Sequence, residues 1–164
     1  MKVFKETQRF TQIWLIVLLL IFTIIPVIIS IKKYTINEIS FTNLISTILI
    51  LVLSIGFVFL IKLTTRIDEV GIHYQFFPIH FSLKTIRWNE VEKAFVRTYS
   101  PISEFGGWGL KGGSLWNKSN GKAINVSGDI GIQLVLKNGK KLLIGTQKEN
   151  EAKRVLETYK SKII

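Results

Sequence analysis

The sequence of 164 residues contains no cysteine and only two histidines, His73 and His80. The absence of cysteine excludes disulfides, thiolate nucleophiles and cysteine-ligated zinc or iron–sulfur sites. The histidines stand seven positions apart with Pro78 between them, a spacing that suits neither paired metal ligands nor a Ser–His–acid arrangement. We therefore predict no catalytic residues, no metal site and no cofactor, and we do not expect an enzyme.

Acidic residues are also few, with 11 Asp and Glu against 22 Lys and Arg, for a net charge of +11. Charge is absent altogether from two apolar stretches, residues 13–31 and 44–61. At about 1.5 Å per residue, a helix over either stretch is roughly 27–28 Å long, close to the ~30 Å hydrocarbon core of a bilayer. As core helices of a soluble protein they would leave too little polar chain to cover them. The stretches therefore predict two transmembrane helices.

The flanks of these stretches predict how the chain is oriented. The first stretch is longer than the apolar region of a signal peptide, and no small-x-small cleavage pattern follows it, so we expect it to be retained. Cytoplasmic flanks are enriched in Lys and Arg. The flanking basic residues are Lys2, Lys5 and Arg9 before the first stretch, Lys32 and Lys33 between the two, and Lys62 and Arg66 after the second. This distribution favours both termini in the cytoplasm.

From residue 65 onward, short β-type runs alternate with turn residues. We predict a hairpin that turns at Gly71, and further strands over residues 81–88 and 91–99. Asn138-Gly139 between two β-rich runs predicts a second hairpin with a type I′ turn, because both residues accept positive φ. Residues 65–164 are thus expected to form a mainly β domain after a two-helix anchor over residues 1–64.

The last segment changes from strand to helical periodicity. Thr146 and Glu149 have the spacing of a capping box, and a C-terminal helix is predicted over residues 147–162. Its apolar stripe consists of Ala152, Val155, Leu156, Tyr159 and Ile163. About seven short strands followed by one helix are typical of a pleckstrin-homology-like (PH-like) barrel. The predicted fold class is a membrane α-helical hairpin followed by a mainly-β (α+β) PH-like barrel with a C-terminal helix.

Three segments, residues 66–72, 88–92 and above all 97–109, resemble uncharacterised bacterial two-transmembrane proteins that have a bacterial PH-like domain. The resemblance covers nearly the whole chain. It implies the fold and a bacterial inner-membrane location, but it implies no activity, because PH-like barrels serve many binding roles.

The segment around Trp108 is the most unusual part of the chain, with five glycines in residues 106–113. Glycines allow backbone conformations that other residues avoid, so this segment is a candidate recognition surface. The candidate partner-binding residues are Arg97, Tyr99, Glu104, Gly106, Gly107, Trp108 and Gly109. The alternative is a wide structural loop whose Trp caps the barrel. Residues 107–112 match GxGxxG, but no helical pattern follows them, and a dinucleotide site requires one.

A positive surface is the second candidate feature of the domain. Its basic residues are Lys111, Lys118, Lys122, Lys137, Lys140, Lys141, Lys148, Lys153 and Arg154. Beside an anionic leaflet, each basic residue is worth about 1 kcal/mol, so anionic lipid headgroups are a possible partner. A solvated face with ordinary positive-inside bias is the alternative. No nucleic-acid-binding signature is present, so nucleic acid is not expected as a partner.

These observations favour a non-enzymatic, membrane-anchored module that binds a protein or lipid partner, or self-associates, at the cytoplasmic face. The rival hypothesis is a small helix-packing subunit of a membrane transport or envelope-assembly complex. In that case Thr47, Ser54 and Gly56 would form a packing face, since small residues let membrane helices approach closely. The apolar stretches lack the ionisable residue that an ion pathway needs, which makes an anchor the simpler reading. An enzyme would gain support if Arg97, Tyr99 and Glu104 converged in a deep pocket.

Overall fold

The structure, a computed structural model, describes residues 2–112 and 121–163. The chain divides into two compact units, one made of Met1–Arg9 with Lys62–Ile164 and the other of Phe10–Ile61. The first unit therefore includes the N-terminal residues that the sequence had assigned to the anchor.

The helical unit consists of two long helices, α1 (Ile13–Thr35) and α2 (Phe41–Leu60). At about 1.5 Å per residue they measure roughly 35 and 30 Å, and both are long and apolar enough to cross a membrane. The two predicted helices are thus confirmed, although α1 continues for four residues past Ile31. Apolar side chains cover the surface of both helices, and Leu44 is the one residue of the pair that the chain buries among the described positions.

The first sheet of the other unit contains β1 (Phe4–Arg9), β2 (Lys62–Ile67), β3 (Gly71–Phe77) and β4 (Lys84–Arg87), in the order β1-β2-β3-β4. All its pairs are antiparallel. The sequence did not predict β1. Its three inward positions are Phe4, Glu6 and Gln8, and two polar residues among three conceal the alternation that normally marks a half-buried strand.

The second sheet has five strands in the order β5-β8-β9-β7-β6. They are β5 (Val91–Thr98), β6 (Gly109–Lys111), β7 (Lys122–Asn125), β8 (Ile130–Leu136) and β9 (Lys141–Gly145). β7 and β9 are parallel, and the other pairs are antiparallel.

The predicted closed barrel does not form over the described residues, where the strands make two separate sheets. β4 has four residues, and a 3₁₀ turn at Trp88–Glu90 follows it directly. The chain therefore passes from the first sheet to the second without pairing β4 with β5. The coarser prediction, two apolar helices followed by sheets and a C-terminal helix in an α+β fold, is confirmed.

A short helix, α3 (Pro101–Phe105), follows β5, and the C-terminal helix α4 (Glu149–Tyr159) continues into a 3₁₀ turn at Lys160–Lys162. The predicted apolar stripe of α4 is buried through Ala152, Val155, Leu156 and Tyr159. The Tyr159 ring stacks on Trp88 with 5.4 Å between centroids.

The capping box predicted at the start of α4 is wrong. Lys148 occupies the N-cap position and makes no side-chain cap. The Thr146 hydroxyl instead donates to Glu6 of β1 at 2.6 Å and accepts from the Lys148 amide at 3.1 Å. The Thr146 side chain thus bonds to the unpredicted strand β1, and the Thr146 amide donates to the Ile130 carbonyl and not to Glu149.

Both predicted hairpins exist, but each turns differently from the prediction. Gly71 is the first residue of β3, and the turn before it is held by Asp68, whose carboxylate accepts from the Val70 amide at 2.9 Å. In the β8–β9 hairpin, Gly139 has φ of 77° while Asn138 does not have positive φ. The Gly139 amide donates to the Leu136 carbonyl at 2.8 Å, which fits a type I turn with a bulge rather than type I′.

Candidate functional site

Arg97 and Glu104, both predicted site residues, form an ion pair between the end of β5 and α3. The guanidinium donates two hydrogen bonds to the carboxylate, at 3.2 and 2.7 Å, and a third to Gln133 at 3.1 Å. Glu104 also accepts from the Ser100 amide at 2.8 Å. The hydrogen bond from Arg97 lowers the pKa of Glu104; burial raises it less, and the Ser100 amide lowers it further, so the net shift is downward. The pair fixes α3 against the sheet.

Tyr99 is buried below this ion pair and does not form part of an open surface. Its ring meets Phe105 edge to face at 5.9 Å, and its hydroxyl accepts a hydrogen bond of 2.8 Å from the Asn125 amide group. The Asn125 side-chain oxygen in turn accepts from the Gly109 amide at 2.8 Å. Burial raises the pKa of Tyr99. This chain of contacts ties the glycine-rich segment to β7.

The glycines and Trp108 complete the predicted site. Gly106 ends α3 with φ of 74°, and Gly107 and Gly109 also have positive φ. The Trp108 indole donates to the Gly128 carbonyl at 3.0 Å. The structure therefore brings the seven predicted residues together. Tyr99 is buried, the Arg97–Glu104 pair is partly exposed, and the Trp108 indole is hydrogen-bonded to Gly128. Within the site, Arg97 bonds directly to Glu104, while Tyr99 packs on Phe105 and bonds to Asn125.

A basic cleft of about 760 Å³ lies elsewhere in the same unit. Its lining includes Lys122, Lys140 and Lys141 together with Tyr74 and Ile86. Within residues 2–112 and 121–163, no carboxylate lies within 4.0 Å of these three ammonium groups. Three of the predicted basic residues thus converge, whereas Lys118 lies outside the described residues.

A groove of about 560 Å³ runs between β5 and α4. Ala94, Phe95 and Val96 line one wall of the groove. The other wall is formed by Lys153, Arg154, Leu156, Glu157 and Lys160 of α4. This groove could not be predicted from the sequence, because it depends on β5 lying at the edge of its sheet, and strand order has no local sequence signal.

Asp68, His73 and Thr85 form a hydrogen-bonded group that the sequence analysis also missed. One His73 ring nitrogen lies 3.0 Å from the Asp68 carboxylate and the other 2.8 Å from the Thr85 hydroxyl. Burial raises the pKa of Asp68, but the hydrogen bonds from His73 and the backbone amides outweigh it and lower the pKa. Asp68 stands five positions before His73 in the sequence, and the β2–β3 hairpin brings its carboxylate to the His73 ring across the turn.

Over the described residues, no three His, Asp or Glu side chains are grouped as metal ligands. His80 lies outside the Asp68 group, and its Nδ1 is 3.3 Å from the Phe76 amide nitrogen. Burial and the nearby Lys84 charge lower the pKa of His80, which favours the neutral ring. These contacts assign both histidines to the structure of the first sheet.

The small residues of α2 do not form one packing face. At about 100° per residue, Thr47 and Ser54 lie on the same side of the helix, but Gly56 lies opposite Ser54. Both hydroxyls bond to their own helix, Thr47 to the Asn43 carbonyl and Ser54 to the Ile50 carbonyl. The three-residue face predicted for helix packing is therefore wrong.

Comparison of the chain with protein-family models, with curated proteins and with solved structures finds no match.

Proposed function

We propose that this chain is a non-enzymatic, membrane-anchored PH-like module that holds a binding or scaffolding surface at the cytoplasmic face of a bacterial inner membrane. The observation that carries the proposal is the pairing of β1 with β2. β1 precedes the first apolar helix, β2 follows the second, and six residue pairs join them, from Phe4 with Ile67 to Arg9 with Lys62. Strands of one sheet must lie in one compartment, so both ends of the helical pair are on the same side of the bilayer.

The helices themselves support the anchor. Their apolar side chains are exposed along nearly their whole length, and soluble proteins rarely leave so large an apolar surface in water. A helical hairpin satisfies its own backbone hydrogen bonds in lipid. Three residues separate β1 from α1, and one residue separates α2 from β2. Short connections, and not a long linker, therefore join the helical pair to the strands of the first sheet.

The charges of the module support a cytoplasmic, membrane-facing position. Lys122, Lys140 and Lys141 line one cleft without carboxylate partners among the described residues. Unpaired lysines at a bilayer are attracted to anionic headgroups, and salt screens the attraction. The order of the elements, sheets followed by one C-terminal helix, agrees with the PH-like resemblance, although the two sheets are open.

Labelling of single cysteines tests the anchor and its orientation, because the chain has no cysteine of its own. Glu38→Cys places a thiol between the two helices, and Asn138→Cys places one on the β8–β9 hairpin. In intact bacterial cells a membrane-impermeant maleimide should modify Glu38→Cys at once and Asn138→Cys only after permeabilisation. Modification of Asn138→Cys in intact cells would overturn the orientation, and equal modification of both would overturn the anchor.

The second candidate is a helix-packing subunit of a membrane transport or envelope-assembly complex. The observation that favours it is Gly56, beside which an added Cβ would meet no atom of the described residues within 4 Å, so this part of the chain does not itself use the small residue for packing. A photo-crosslinking amino acid at Leu49, which is exposed on the same side of α2 as Gly56, should capture a partner within the bilayer if this function is correct. Capture only from the sheet unit, with Asn138 as the probe position, favours the first function.

A further inference from the structure

We infer that the edge of β5, beside α4, binds an extended peptide segment with an acidic side chain as an additional strand of the second sheet. The inference rests on the proposed binding function and assigns it a surface and a class of partner. It uses a different surface from the Trp108 segment, whose side chains bond within the module.

Over residues 2–112 and 121–163, the order β5-β8-β9-β7-β6 leaves β5 with a strand on one side only. Which of its backbone groups face outward follows from the register. The Tyr99 amide donates to the Asp129 carbonyl at 2.7 Å, so Tyr99 and Asp129 are a hydrogen-bonded pair and the Tyr99 backbone N–H points toward the β8 side. Antiparallel pairs alternate between bonded and non-bonded positions. Ala94, Val96 and Thr98, the non-bonded positions, therefore direct their N–H and C=O groups away from β8.

The groove lies along this outward row. Ala94, Phe95 and Val96 line it, and the Phe95 side chain is 44% exposed. The bulge between Val91 and Lys93 ends the regular edge on one side. At the other end, over residues 94–98, the Thr98 carbonyl already accepts a hydrogen bond of 3.3 Å from the Arg97 guanidinium, so the outward groups of Ala94 and Val96 and the Thr98 amide are the ones available. At about 3.4 Å per residue this edge is roughly 17 Å long, enough for a strand of ordinary length. Exposed edges of this kind accept peptides through main-chain hydrogen bonds.

The charge of the opposite wall selects the kind of peptide. Lys153 is paired with Glu149 at 2.6 Å, and Lys160 with Glu157 at 3.1 Å. Arg154 has no carboxylate within 4.0 Å in the part of the chain that the structure describes. An uncompensated guanidinium beside a strand edge complements a carboxylate on the bound strand, and Arg–carboxylate pairs add geometric specificity. The occupant is therefore an extended peptide with Asp or Glu opposite Arg154.

The test uses the full chain in lipid nanodiscs and a displayed library of random peptides about ten residues long, sufficient to span the edge. Selected peptides should be enriched in Asp or Glu. The best one, synthesised with a fluorescent label, serves as the probe for binding by anisotropy. Three variants are compared with the wild type: Val96→Pro, Arg154→Glu and, as the matched control, Lys84→Glu at an exposed lysine of β4 outside the groove.

Val96→Pro removes an outward N–H and leaves the β8 bonds in place, as proline is tolerated on strand edges. It should weaken probe binding by about tenfold while the unfolding temperature stays close to that of the wild type. If Val96→Pro unfolds the module, Arg154→Glu still decides the question. It should also weaken binding by about tenfold, whereas Lys84→Glu, with the same charge change away from the groove, should not.

Failure of this inference and failure of the proposed binding function give different results. If the wild-type protein enriches no peptide, the peptide inference is overturned, whereas the labelling of Glu38→Cys and Asn138→Cys decides the proposed membrane-anchored function separately. If peptides bind but both charge reversals weaken them equally, or if neither Val96→Pro nor Arg154→Glu affects them, the site on β5 is overturned. Loss of a self-associated form in Val96→Pro, without any peptide effect, would assign the edge to a second copy of the chain and also overturn the inference.

Discussion

Glu6, ahead of the first apolar helix, accepts a hydrogen bond of 2.6 Å from the hydroxyl of Thr146, 140 residues later in the chain. Its other carboxylate oxygen accepts from the Gln147 amide at 2.8 Å. Both Glu6 and Thr146 are buried. The N-terminal strand is thus joined to the junction between β9 and α4, so one folded unit contains residues that precede and residues that follow the two apolar helices.

Glu6→Ala should destabilise the module by about 1–3 kcal/mol, because it leaves the Thr146 hydroxyl and the Gln147 amide without their acceptor in a buried position. Thr7→Ala, on the exposed side of the same strand, should change stability by no more than about 0.5 kcal/mol. Denaturant unfolding of both variants in detergent, followed by near-UV circular dichroism, measures the difference. Equal effects of the two substitutions would contradict the structural role of Glu6.

Gly71→Ala should also destabilise the module, for a steric reason. A Cβ at Gly71 would collide with the backbone carbonyl of Ile86 on the neighbouring strand β4. Because both groups belong to paired strands, the strands must move apart to make room, and a cost of about 1–3 kcal/mol is expected.

Gly112→Ala is the matched control for Gly71→Ala. An added Cβ at Gly112 would meet no atom of residues 2–112 and 121–163 within 4 Å, and the residue does not have positive φ. The unfolding temperature of Gly112→Ala should stay close to that of the wild type while Gly71→Ala unfolds earlier. A normal unfolding temperature for Gly71→Ala would show that β3 and β4 are not paired as described.

The sequence predicted those elements whose signals are local and strong. Two uncharged apolar stretches are sufficient to predict helices, and Asn138-Gly139 is sufficient to predict a hairpin. The stripe from Ala152 to Tyr159 was predicted for the same reason. β1 could not be predicted from local signals, because polar residues, Glu6 and Gln8, occupy two of its inward positions. Their burial is explained by hydrogen bonds to the Thr146 hydroxyl and the Gly145 carbonyl, which come from a distant part of the chain.

The candidate site was predicted as a set of residues, and their contacts were not. Arg97, Glu104 and Trp108 are close in sequence, so their proximity was foreseeable. That Tyr99 points inward to Asn125 depends on β7, which pairs with β9 from a distant part of the chain. The groove beside β5 depends in the same way on strand order. Strand order arises from long-range pairing, for which a single sequence has no periodic signal.

The pairing of β1 with β2 predicts a specific crosslink. Thr7 and Thr64 are directly opposed, and residues opposed in antiparallel strands lie about 4.5–5.5 Å apart at Cα, within reach of a disulfide. With Thr7→Cys and Thr64→Cys in one chain, mild oxidation of isolated membranes should form an intramolecular disulfide, seen as a faster-migrating band without reductant. The pair Thr7→Cys with Asn138→Cys should not form one. A crosslink only between separate chains would mean that β1 pairs with another copy.

The pair Arg97–Glu104 predicts acid sensitivity with a definite sign. The pKa of Glu104 is lowered in the fold from its ordinary value of 4.5, chiefly by the hydrogen bond from Arg97. The unfolded state therefore binds more protons than the folded state in this range, and stability falls as the pH falls. The contribution of the pair is fully present above pH 4.5 and is lost as the pH drops through the lowered pKa.

Glu104→Gln isolates this effect, although Asp68 also has a lowered pKa and titrates in the same acidic range. At neutral pH the variant should be less stable than the wild type by about 1 kcal/mol, a modest value because the pair is partly exposed. The difference should shrink as the pH falls below 4.5, since the wild type then loses the same charge. Glu92→Gln, which removes an exposed carboxylate 4.0 Å from Lys93, should show no such convergence. Unfolding temperatures measured from pH 7 down to about pH 3, the range where ordinary and lowered carboxyl pKa values lie, test it. A constant difference at every pH would mean that the ion pair does not stabilise α3.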